Sequence, residues 1–149
     1  MDIHLDNLLG VPNVTVFTCY QKEGFLILEL ELINQFIDCP YCQKSTDNVH
    51  QNRPILVRDL SICGQEVYLK VPRRQFDCSI CQKVFTEQLS FRETRRQYTI
   101  SYEKYIYEKV KELTVEQVAK NEKLSPRRVD NIFQRIANRK KKTGDYQNV

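Results

Sequence analysis

The chain has 149 residues, 41% hydrophobic and 28% charged, with a formal net charge of +4, which leaves room for one folded domain or two small ones. No apolar run reaches the roughly 18 residues that a membrane-crossing helix needs, so no membrane partner is expected. The opening MDIHLDNLLG carries acids where a secretory leader would carry bases; a cytoplasmic location is expected, and there six cysteines argue for metal or redox chemistry over structural disulfides.

The first segment is rich in strand-forming residues. Residues 14–20, VTVFTCY, are β-branched and aromatic, and residues 25–33, FLILELELI, end in strict alternation. Between them Gln21, Lys22, Glu23 and Gly24 suit a turn, with Gly24 free to take positive φ. This hairpin leads into QFIDCPYCQK at residues 35–44, and a near copy, QFDCSICQK, follows at residues 75–83.

Each copy holds a Cys-x-x-Cys turn, which supplies two sulfurs and cannot close a tetrahedral site alone. Two such turns can, so one zinc ion held by Cys39, Cys42, Cys78 and Cys81 is expected. The 35 residues between the pairs exceed the usual ribbon spacing of roughly 15–20. Strand-like runs at 53–58 and 66–71, joined through Ile62, Cys63, Gly64 and Gln65, would absorb the excess as a hairpin. Phe76 and Phe85 flank the second pair and are placed to pack beside it.

Other cysteine chemistries fit less well. A thioredoxin-type redox motif needs one copy in a βαβ setting, and two disulfides suit an oxidising compartment. A rubredoxin-like iron centre uses the same four thiolates and would make the chain an electron carrier, with no role for a basic C-terminal half. Cys19 and Cys63 lack a close partner and are expected to be ordinary semi-buried side chains; His4 and His50 are also single, and His50 is expected to have a local structural role.

Beyond residue 91 the character changes. Residues 1–91 hold 8 Lys/Arg against 11 Asp/Glu, a net of −3, whereas residues 92–149 hold 15 against 8, a net of +7. Such a half faces nucleic acid or is a solvated helical surface. Tyr102, Tyr105, Ile106, Val110 and Leu113 recur at helical spacing. Thr114 and Gln117 match a capping box, and Ser125-Pro126 repeats a start signal. Helices are expected near 99–113, 115–122 and 126–139, with a fraying tail after them.

Residues 115–132 fit a helix-turn-helix: Ala119 where two helices cross, Leu124 plugging the turn, Val129 and Ile132 facing the shared core. Lys123 stands where the turn often has Gly. In such a unit the second helix enters the major groove. Arg127, Arg128, Asn131, Gln134 and Arg135 would then face bases, since Arg reads guanine and Asn reads adenine. Arg92, Arg95, Arg96, Arg139, Lys140, Lys141 and Lys142 would meet phosphates.

Together these residues resemble the N-terminal region of insertion-sequence transposases of the ISL-three family. The likeness runs through Leu8-Leu9-Gly10-Val11-Pro12, the Cys39-Pro40-Tyr41-Cys42 knuckle, Val49-His50, Val57-Arg58-Asp59-Leu60, Gly64, the stretch from Val71 to Cys78, Phe85-Thr86-Glu87 and the helix-turn-helix. Gln43 departs from the Gly common after the first pair. The resemblance implies recognition of an element's terminal inverted repeats, with strand cleavage left to a DDE-type, RNase H-like domain absent from this chain, so no enzyme on its own. Double-stranded DNA is the expected partner, with a homodimer or a separate catalytic transposase chain beside it, and the location would be nucleoid-associated. A stand-alone transcriptional regulator is the alternative. The expected architecture is α+β: an N-terminal β-hairpin plus zinc-ribbon-like module over 1–91, a three-helix helix-turn-helix domain over 92–142, and a flexible tail over 143–149.

Overall fold

The computed structural model describes residues 5–144; His4 and residues 145–149 of the expected tail lie outside them. The fold is mixed α+β, and the chain forms two compact units, one reaching to Thr99 and one starting at Ile100.

The first unit opens on a short helix, α1 (Leu5–Leu9), followed by strands β1 (Val14–Lys22) and β2 (Phe25–Leu32). The expected hairpin is present, with Lys22 paired to Phe25 across a two-residue turn. Glu23 (φ 50°) and Gly24 (φ 90°) both take positive φ, the turn whose twist matches that of its flanking strands. β1 is interrupted between Val16 and Thr18 by an irregularity of register. There Asp6 of α1 accepts from the Val16 N–H (2.7 Å) and the Thr15 hydroxyl (2.9 Å), fastening the helix to the strand.

The second hairpin, β6 (Ile55–Ile62) and β7 (Gln65–Val71), closes through Cys63 (φ 50°) and Gly64 (φ 78°). It does not stand between the knuckles as an isolated insert. β7 pairs in parallel with β2, Phe25 opposite Glu66 through Glu29 opposite Lys70, giving one sheet of order β1-β2-β7-β6. The N-terminal hairpin is therefore half of a sheet rather than a separate preface. Leu28, Leu69 and Val57 lie in one row across three strands, and with Val14, Leu30, Val67 and Val71 they form a buried cluster. Leu5 and Leu9 of α1, and Leu89 and Phe91 from the later loop, pack against it. Full burial of each such side chain stabilises by about 1.5–3 kcal/mol. Residues 97–99 run beside β6: Arg58 N–H donates to the Gln97 carbonyl, Thr99 N–H to the Arg58 carbonyl (both 2.9 Å), and the Thr99 hydroxyl to Asp59 (2.7 Å).

The remaining strands are short: β3 (Ile37–Asp38) with β4 (Ser45–Thr46), and β5 (Val49–Asn52), β8 (Arg74–Asp77) and β9 (Val84–Thr86) in the order β5-β8-β9. They frame the two cysteine turns. As expected, Phe76 and Phe85 pack there, with ring centroids 5.9 Å apart, in a small cluster with Cys39 and Cys78.

The second unit holds α2 (Ile100–Glu112), α3 (Val115–Glu122) and α4 (Pro126–Thr143). Tyr102, Ile106, Val118, Ala119, Val129 and Ile132 are buried, and each helix packs against the other two. The capping box forms: the Gln117 N–H donates to the Thr114 hydroxyl and the Thr114 N–H to the Gln117 side chain. Ser125 caps α4 by accepting from the Arg128 N–H (3.2 Å), and Pro126 is its first residue. Lys123 ends α3 at φ 57°, accepting the left-handed conformation that Gly would take more readily. α4 outruns the expected end at 139. Lys140, Lys141 and Lys142 remain helical, Thr143 is its last residue, and Gly144 (φ 75°) caps it, so the tail does not begin at 143. Three cations in the last turn offset the partial negative charge of the helix end. Among the described residues no helix is long and apolar enough to cross a membrane.

Candidate metal centre and nucleic-acid interface

The two cysteine turns are built alike. In each, the N–H of the first cysteine donates to the carbonyl five residues on: Cys39 to Lys44 (2.8 Å) and Cys78 to Lys83 (3.0 Å). In each, the residue after the second cysteine donates back to the first: Gln43 to Cys39 and Gln82 to Cys78, both at 2.8 Å. After that bond the chain reverses through the left-handed region, at Gln43 (φ 66°) and Gln82 (φ 57°), which brings the next carbonyl back to the first cysteine. Gln43 thus adopts the conformation for which a Gly would be chosen. Gln43→Gly is expected to stabilise the metal-loaded protein by up to ~1 kcal/mol, the relief of left-handed strain less the extra chain entropy of Gly. A shift in the denaturant midpoint of the first unit reads it.

The turns face each other crosswise. Cys39 Sγ lies 3.6 Å from Cys81 Sγ, and Cys42 Sγ lies 3.5 Å from Cys78 Sγ. All four sulfurs fall within 4.8 Å of one another. A zinc–sulfur distance near 2.3 Å in a tetrahedron separates sulfurs by about 3.8 Å, so the four thiols fit one ion with little movement. Cys39 and Cys78 are buried and Cys42 and Cys81 half-buried, as a closed structural site needs.

The electrostatics repeat the symmetry. The Cys81 N–H draws the Cys78 thiol down to about 7, against burial and with help from the Ile80 N–H. At Cys39 burial raises the pKa, but the Cys42 and Tyr41 amides together outweigh it and the thiol is lowered. The second cysteine of each turn moves the other way. The Lys44 N–H lowers Cys42, yet burial and the adjacent Cys78 and Cys39 thiols push it up. Burial, then Cys39 and Cys78, push Cys81 up to about 12. Each turn thus offers one sulfur already stabilised as thiolate by backbone N–H groups, and a bound cation would supply the charge that the other lacks.

The other cysteines stand apart. Cys19 and Cys63 are exposed, on β1 and in the β6–β7 turn, rather than semi-buried. His50 Nδ1 lies 3.2 Å from Asp77 Oδ2, next to Cys78 in the chain and outside the sulfur cluster.

In the helical unit the residues singled out on α4 divide in two. Arg127, Arg128, Asn131 and Gln134 are exposed. Asn138, which the sequence reading passed over, is exposed one turn beyond Gln134 and completes the spacing 127, 131, 134, 138 of a single face. Arg135 has a different setting. Its guanidinium pairs with Glu103 of α2, whose side chain is 2% exposed, and Arg135 itself is mostly covered. Glu103 was legible as an acid on the apolar stripe of Tyr102, Ile106 and Val110. Arg139 is exposed, while Lys140 lies 4.5 Å above the Tyr107 ring, which stacks on Phe133 (5.0 Å between centroids). Lys141 and Lys142 are exposed. Arg92, Arg95 and Arg96 fall in the first unit, on the loop between β9 and residue 97.

Two family models match the chain, one over each region. Residues 35–81 match the zinc-finger of transposase IS204/IS1001/IS1096/IS1165. Residues 87–137 match the helix-turn-helix domain of transposase family ISL3. No curated protein and no solved structure matches the chain. The paired cysteine turns lie inside the first match and most of the capped helical unit inside the second, so the chain carries a zinc-ribbon and a helix-turn-helix domain similar to those of ISL3 transposases.

Proposed function

We propose that this chain is the zinc-dependent DNA-recognition part of an ISL3-type transposase, acting at the terminal inverted repeats of its element. The observation that carries the reading is the polar face of α4. Arg127, Asn131 and Gln134 project from the N-terminal half of a firmly capped helix, the half that enters the major groove in helix-turn-helix proteins. Arg127 and Asn131 have the donor and acceptor sets that read guanine and adenine. Arg128 stands beside them, and Arg139 with Lys140 extends the charge along the helix toward phosphates. Arg135, committed to Glu103, supports the helix rather than reading a base.

Cys39, Cys42, Cys78 and Cys81 would hold one zinc ion whose chemistry is structural: four thiolates leave no open position for water. The backbone N–H groups of both turns stabilise the thiolate form and so favour loading. In this reading strand cleavage belongs to a DDE-type segment or chain acting with this one, at the nucleoid.

Arg127→Ala is expected to weaken binding to the preferred duplex by about 1–3 kcal/mol while leaving binding to unrelated duplexes nearly unchanged. Selection of bound duplexes from a random pool, followed by titration of the winner and a scrambled control, provides the measurement. Enrichment of element ends supports the transposase reading. Enrichment of a promoter operator would favour a stand-alone regulator.

A further inference from the structure

The first unit contains two kinds of arginine. Arg74 is neutralised: its Nε and Nη2 donate to the two carboxylate oxygens of Glu87, each at 2.8 Å, and Nη2 also donates to the Asn34 carbonyl (3.0 Å). Such a fork is the geometry in which Arg serves the fold. Arg53, Arg73 and Arg92 are not neutralised in this way: among the described residues none of the three pairs with a carboxylate, and the Arg53 guanidinium reaches only the uncharged Gln51 side-chain amide.

The fold nevertheless draws them together. The Arg53 N–H donates to the Arg73 carbonyl at 3.0 Å. Arg53 stands two residues before Ile55 and Arg73 two residues after Val71, and Ile55 faces Val71 across β6 and β7. Phe91 packs on the core cluster that contains Val71, which delivers Arg92 to the same end of the sheet. The loop that carries Arg92 is held at both ends, by Phe91 on the core and by residues 97–99 along β6. Inside it, Arg92 Nε donates to the Arg96 carbonyl at 2.5 Å. Burial first, and then the positive charge of Arg73, lower the pKa of Arg92. Like charges gathered without acids oppose folding, and an anion with several acceptor oxygens removes the conflict.

We propose that Arg53, Arg73 and Arg92 form a phosphate-binding surface on the zinc-bearing unit that grips a DNA backbone, separate from the base-reading face of α4. The inference rests on the DNA-binding reading above and adds a second point of attachment to it. Contacts of this kind place a protein on a duplex without choosing its sequence. They reveal themselves through counterion release, each lost phosphate contact lowering the slope of log affinity against log salt by about 0.9.

The test uses the full zinc-loaded chain and a mixed-sequence duplex titrated from about 50 to 200 mM salt. Replacing all three residues by Gln (R53Q, R73Q, R92Q together) is expected to flatten the slope by roughly 2–3. Zinc content, melting temperature and the preference for a selected over a scrambled duplex should be retained. Replacing all three by Lys should keep most of the slope. An unchanged slope in the Gln variant, with Arg127→Ala still reducing sequence preference, overturns this surface alone and leaves the α4 reading standing. A slope lost together with zinc or thermal stability, and not kept by Lys, also overturns it. Absence of duplex binding by the unaltered protein sinks both.

Discussion

Cys78→Ser is expected to abolish stoichiometric zinc binding and to unfold the small β-lobe made of β3, β4, β5, β8 and β9. Three sulfurs leave a structural site open, and the apparent binding energy of such sites is on the order of 10 kcal/mol. The lobe has little else to hold it: apart from cysteines, its buried cluster consists of Phe76 and Phe85. The four-stranded sheet has its own core of seven buried residues and should outlast the lobe. Hydrogen exchange therefore resolves two stages, with amides of β8 and β9 released in the variant, or after chelation, while those of β2 and β7 stay protected. Cys19→Ser and Cys63→Ser, at exposed positions, should leave zinc content untouched. Full zinc content in Cys78→Ser would falsify the ligand assignment.

The second large effect is expected in the helical unit. Arg135→Ala should destabilise it by about 3–5 kcal/mol, because the Glu103 carboxylate would be left buried without its cation. Replacing both residues by Met should recover most of the loss, since a well-packed apolar pair often matches a buried ion pair. Urea titration followed by helical circular dichroism measures both. An Arg135→Ala loss below about 1 kcal/mol would mean that the pair contributes no more than a surface bridge. A DNA-binding assay alone would misread this variant. Its affinity should fall in step with the folded fraction, whereas Arg127→Ala should lose preference with stability intact.

What the sequence revealed follows how local each determinant is. The cysteine ligands were legible because the turn repeats with its flanking letters, and the helical starts because Thr114, Gln117, Ser125 and Pro126 act within one turn of themselves. The two hairpins were legible for the same reason, being closed by two-residue turns with Gly24 and Gly64. The parallel pairing of β2 with β7 was not, since it joins residues about forty apart and depends on burying both strands together. Helix α1 was missed because five residues carry little periodicity and its anchor, Asp6 on the β1 backbone, is a tertiary contact. The left-handed Gln43 was hidden because composition marks Gly, not the strain another residue tolerates. Arg135 was taken with its exposed neighbours because helical spacing alone does not show which flank of a basic face turns inward.

The joining of β2 to β7 also bears on how the protein can be cut. The first matched domain begins at residue 35, three residues beyond the end of β2 at Leu32, so a clone trimmed to that border would discard β1 and β2. It would strip β7 of one neighbour and bare the backbone from Glu66 to Lys70, around Val67 and Leu69, an edge of the kind that recruits strands from other molecules. The recognisable family boundary and the smallest soluble piece are therefore different segments of this chain.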